Sequence, residues 1–153
     1  MRLAQITNWL YVSDRDICDV RRLDFDNVIH IWRNDHPDNS CHYQIENQTG
    51  DGNNLIVDYK DGETLTEKTL SDIDEFIKDK SFKNKILVHC HAGMTRSPII
   101  ALFIFSMITG NHPLACIGTI YYNLWVQNNT LANICRTPLE DIIKWYERNG
   151  NRV

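Results

Sequence analysis

A chain of 153 residues is long enough for a single domain, 1–153, with a proper core, and 42% hydrophobic and 24% charged residues exclude a disordered or a wholly membrane-embedded class. A net charge of −4 argues against non-specific nucleic-acid binding, which wants a basic surface. Five cysteines without a tight pairing pattern, and no apolar signal segment over residues 1–9, imply a reducing, cytoplasmic location; the longest apolar run, Ile99 to Ile108, is too short to cross a bilayer, so no membrane partner is expected.

Taken in chain order, Ala4 to Ser13 holds a first strand, with Trp9 to Val12 its better half. Ser13 or Asp14 can cap a short helix running to Leu23. Asn27 to Trp32 reads as a buried strand, and Arg33 to Asn53, rich in Asn, Asp, Gly and His, as a long loop with at most one short element near Tyr43 to Ile45. Leu55 to Val57 is the next strand, and the spacing of Leu70, Ile73, Phe76 and Ile77 predicts an amphipathic helix over Thr66 to Asp79. Lys85 to His89 is the central strand. After it, Ile99 to Ile108 is apolar all round, which predicts a buried helix with Pro98 in its first turn. Gly110 to Pro113 breaks that helix, Leu114, Ile117, Ile120, Tyr121 and Leu124 mark another, and Thr137-Pro138-Leu139-Glu140 opens a last one. Strands alternating with helices, then a run of helices, give an α/β fold with a mostly parallel central sheet flanked by helices.

The most informative stretch is Lys85 to Pro98. A strand that ends on a loop and feeds a helix gathers the loop's backbone N–H groups around one point, and with the positive end of the helix these form an anion site. Cys90 stands at its entrance and Arg96 at its exit. Thiols beside helix N-termini and cations are acidified, so the residues imply a nucleophilic sulfur inside a phosphate-sized cradle. Gly93 lets the backbone approach the anion, and the Arg96 fork can grip two oxygens at once. The backbone N–H groups of His91, Ala92, Gly93, Met94, Thr95 and Arg96 would hold the three non-bridging oxygens. His30, His36, Cys41, His42, His89 and His91 match no common zinc spacing, so no metal and no cofactor is expected.

His89-Cys90-x-x-Gly93-x-x-Arg96-Ser97 resembles the signature loop of the protein tyrosine phosphatase superfamily, and its His-Cys-x-Ala-Gly-x-x-Arg-Ser form is most similar to the small, atypical dual-specificity phosphatases. The resemblance implies a cysteine-based phosphatase fold with the loop at the C-terminal edge of the sheet. It implies a phosphocysteine intermediate on Cys90, with Ser97 hydrogen-bonding the thiolate and His89 bracing the loop. The general acid is then an aspartate on a separate loop. Asp58 and Asp61, 32 and 29 residues before Cys90, both qualify. Asp58 has the family's usual distance to the cysteine. Asp61 is preferred because the stretch Lys78 to Lys85 is short and because Asp61-Gly62 resembles the acid loop of several relatives, although it also reads as an ordinary turn.

The expected function is metal-independent phosphomonoester hydrolysis, with a phosphorylated protein as substrate: phosphotyrosine, and also phosphoserine or phosphothreonine in a shallow site. The alternatives are a non-protein substrate, either an RNA 5′-phosphate or a phosphoinositide, and a catalytically weak phospho-binding module. A sulfur-transfer or arsenate-reducing enzyme would need a different loop register or resolving cysteines near Cys90.

Overall fold

All four residues of Ile86–His89 are buried, which a strand achieves only in the middle of a sheet covered on both faces. The computed structural model describes residues 3–13, 25–32, 53–60, 62–78, 80, 84–90 and 96–150. The helix expected from Asp14 to Leu23, and the loop over 33–52 with its short element near 43–45, lie outside these residues. In chain order the elements are β1 (Leu3–Gln5), β2 (Leu10–Ser13), β3 (Asn27–Trp32), β4 (Asn54–Asp58), α1 (Glu67–Ile77), β5 (Ile86–His89), α2 (Arg96–Thr109), α3 (Pro113–Asn128) and α4 (Arg136–Asn149). The sheet runs β1-β2-β5-β3-β4, with β1 antiparallel to β2 and the other four strands parallel. This is the mostly parallel α/β architecture that the alternation of strands and helices predicts.

The expected first strand is two strands. Thr7 interrupts it: its hydroxyl oxygen accepts from the amides of Trp9 (3.2 Å) and Leu10 (3.0 Å), and the Leu10 carbonyl accepts from the amide of Ile6 (2.9 Å). These bonds turn the chain back on itself, so β1 pairs with β2 and Trp9 falls in the turn. The Trp9 indole is nonetheless buried and stacks on Phe105 of α2, with ring centroids 6.1 Å apart.

Helix α2 lies against β2 and β5 and contacts the other three helices. Its residues Ile99 to Ile104 are at most 1% exposed, as expected of a helix apolar all round. Helix α1 starts where the Thr66 side chain accepts from the amide of Thr69 (3.2 Å), and it buries Leu70, Ile73 and Ile77. Helix α3 begins on Pro113, its N-cap His112 accepting from the amide of Leu114 (3.1 Å). Helix α4 buries Pro138 and Ile142, and Trp145 is tied to Asp74 of α1 by a 3.0 Å indole bond. The side of the sheet away from this core carries Val28 and Leu87, with Leu3, Tyr11 and Phe25 packed on them.

Candidate active site

The parallel strands β2, β5, β3 and β4 all end at one edge of the sheet, where open α/β sheets bind their ligands. Cys90 follows the last residue of the central strand and is 2% exposed. Its amide donates to the Ser13 carbonyl at the end of β2 (3.3 Å). The same carbonyl accepts from the Ser97 hydroxyl (3.5 Å), so the first turn of α2 is held beside the cysteine. Arg96 is the first residue of α2 and only 6% exposed. A helix N-terminus leaves its first amides without intrahelical partners and carries a partial positive charge. Cys90, Arg96 and Ser97 thus lie together at the mouth of one helix, with the Ser97 hydroxyl turned to the Ser13 carbonyl where the resemblance implies a bond to the thiolate. The loop residues His91, Ala92, Gly93, Met94 and Thr95 lie outside the described residues.

Alternation along β5 sends Cys90 into the core under α2 and His89 to the opposite face. There His89 Nε2 lies 2.6 Å from Nδ1 of His30 on β3, and His30 Nε2 lies 2.9 Å from Oδ1 of Asn54 on β4. With the Asn54 oxygen as acceptor, neutral His30 carries its proton on Nε2. Its Nδ1 then accepts the Nε2–H of His89. This buried relay spans three strands and fixes the ring that directly precedes the cysteine. The resemblance gives His89 the part of bracing the loop; of its partners, His30 shows in the sequence as a polar residue inside an apolar strand, while Asn54 and the Ser13 carbonyl reach the site through strand register alone.

Of the two acid candidates, Asp61 lies outside the described residues. Asp58 is exposed and ends β4. Its register partner is Trp32, and His30 pairs with His89, so Asp58 sits at the cysteine's edge of the sheet, two strands from β5. Two strand spacings make that roughly 10 Å across the sheet.

The segment that follows is tethered at several points. Tyr59 is buried and donates its hydroxyl to the Glu63 carbonyl (2.8 Å), and the Glu63 amide reaches back to the Lys60 carbonyl (3.3 Å). Gly62 has φ +75°, a left-handed conformation that favours glycine, and it faces the Cys135 sulfur. The Leu65 amide is held by Asp141 of α4 (2.9 Å). Asp58, Tyr59, Lys60, Glu63, Thr64, Thr66 and Thr69 line an open polar depression of about 540 Å³ beside this turn.

No protein-family model matches the chain, and no curated protein sequence matches it. Solved structures do. PTPMT1 in complex with PI(5)P is 15% identical with a TM-score of 0.69, the match covering 99% of both chains. DUSP15 is 16% identical with a TM-score of 0.65, covering 98% of this chain and 90% of that one. The human tyrosine phosphatase-like serine/threonine/tyrosine-interacting protein is 16% identical with a TM-score of 0.61, covering 97% of each. The chain therefore has the fold of the tyrosine and dual-specificity phosphatases over nearly its whole length.

Proposed function

We propose that this chain is a phosphomonoester hydrolase that works through a phosphocysteine on Cys90. The observation that carries the reading is Cys90 at the end of the central parallel strand, facing a helix that starts on a buried Arg96. The Cys90 sulfur attacks phosphorus in line, the bond to the leaving oxygen breaks, and the carboxylic acid of Asp61 gives that oxygen its proton. The backbone N–H groups of residues 91–96 and the Arg96 fork hold the equatorial oxygens as charge develops. In the second half the Asp61 carboxylate takes a proton from water. The water oxygen attacks phosphorus, the sulfur–phosphorus bond breaks, and inorganic phosphate leaves. Ser97 supports the departing thiolate. No step requires a metal.

The preferred substrate is a phosphorylated protein, with phosphotyrosine and phosphoserine or phosphothreonine admitted to a shallow site. A second reading, a phosphoinositide headgroup, is supported by the match to PTPMT1 in complex with PI(5)P. Turnover of p-nitrophenyl phosphate in the presence of a chelator tests the reaction, and the Cys90→Ser variant assigns it. Phosphotyrosine and phosphothreonine peptides run against short-chain PI(5)P then separate the two substrate readings. A phosphatase for proteins hydrolyses the peptides faster. No turnover of any of these esters would remove the hydrolase reading and leave a phospho-binding module.

A further inference from the structure

From Ser97 to Cys135 there is no Asp, Glu, Lys or Arg, in a chain where such residues make up 24%. Burial of α2 explains the first part of that stretch. It does not explain α3, which turns Pro113, Cys116, Ile120 and Leu124 inward and leaves its other side to solvent. At roughly 100° per residue, Leu114, Ala115, Gly118, Tyr122, Trp125 and Val126 fall in one arc opposite the buried residues. All six are exposed, Leu114 to 57%, Tyr122 to 66%, Trp125 to 53% and Val126 to 59%. A surface helix ordinarily carries charge there. Loss of charge with enrichment in Tyr and Trp is the composition of a protein interface.

We propose that this face joins two copies of the chain, with the two α3 helices packed antiparallel across a two-fold axis. Such an axis, passing between positions 118 and 122, sets Leu114 against the partner's Val126, Ala115 against the partner's Trp125, and Gly118 against the partner's Tyr122. Two of these three pairs lay an aromatic ring over a residue with little or no side chain. The space above Gly118 is open, since a Cβ there would meet nothing within 4 Å. The six residues offer on the order of 600 Å² per copy, the top of what monomers leave exposed and near the ~800 Å² per partner of a standard interface. A lipid surface is the poorer occupant: helices that lie on membranes carry Lys and Arg beside their apolar face, and α3 has neither.

Sedimentation velocity of the full chain, from sub-micromolar to a few hundred micromolar, tests this. The expected result is a species of twice 17.9 kDa that dissociates on dilution. Tyr122→Glu and Gly118→Lys should each give a monomer at every concentration with an unchanged far-ultraviolet circular dichroism spectrum. Both positions are exposed, and lysine is a better helix former than glycine, so neither change threatens the fold. Mixing the two variants should restore the dimer, because each opposes its new charge to the other's. A 17.9 kDa monomer throughout, a dimer that survives either substitution, or a mixture that stays monomeric overturns the proposal. So does a monomer that co-sediments with phosphatidylcholine–phosphatidylserine vesicles, which would give the face to lipid.

Discussion

Cys90, Arg96 and Ser97 could be found from the sequence because their chemistry is written in local spacing. Their neighbours could not. Ser13, His30 and Asn54 enter the site through strand register, which no local pattern records. Each group can be tested singly. Cys90→Ser should abolish turnover while leaving the fold and phosphate binding intact, measured by steady-state kinetics and isothermal titration. Arg96→Lys should lose at least about 10²-fold in kcat, because a point charge cannot replace the two-pronged grip. Asp61→Asn should lower kcat by about 10²–10⁴-fold and remove the basic limb of the pH–rate profile, with a smaller loss for esters of good leaving groups. If Asp58→Asn gives that pattern instead, the exposed aspartate at the end of β4 is the acid. His30→Phe leaves the buried Nε2–H of His89 without its acceptor and should cost about 1–3 kcal/mol, read from the urea midpoint.

Among the elements, β3 is found where its apolar run predicts it, over Asn27–Trp32, and α1 starts directly after its Thr66 cap. The β1–β2 turn escaped because its signal is one threonine hydroxyl bonding two amides, and such a residue also fits a strand. The polar segment between β4 and α1 links element to function. Among the described residues it is tied by the Tyr59 hydroxyl to the Glu63 carbonyl, by the Leu65 amide to Asp141 of α4, and by the Thr66 cap of α1. Asp141→Ala removes the acceptor for the Leu65 amide. It should lower kcat for esters of poor leaving groups without changing the rate at which iodoacetamide alkylates Cys90. Equal losses in both would mean that Asp141 supports the whole edge of the sheet rather than this segment. Thr66→Ala should destabilise the protein by about 1 kcal/mol, seen as a lower denaturation midpoint.

For the whole molecule, strands and helices alternate legibly, but the sheet order does not follow from them. The central position of β5 could be anticipated from its continuous apolar run; the insertion of β5 between β2 and β3 could not. Burial of α2 was legible because Ile99 to Ile104 offers water no polar face, and Phe103→Ala there should cost about 3–5 kcal/mol. Cys116 contributes a pH dependence of its own. Burial pushes its thiol from 9.0 up to about 11, so the folded chain holds more protons across that window and stability falls as pH rises through it. The proposed phosphocysteine is tested most directly by rapid acid quench during p-nitrophenyl phosphate turnover in chelator, followed by peptide mass spectrometry: the phosphoryl group should be found on Cys90 and nowhere else. Turnover with the phosphoryl group on another residue, or on none, would contradict the mechanism.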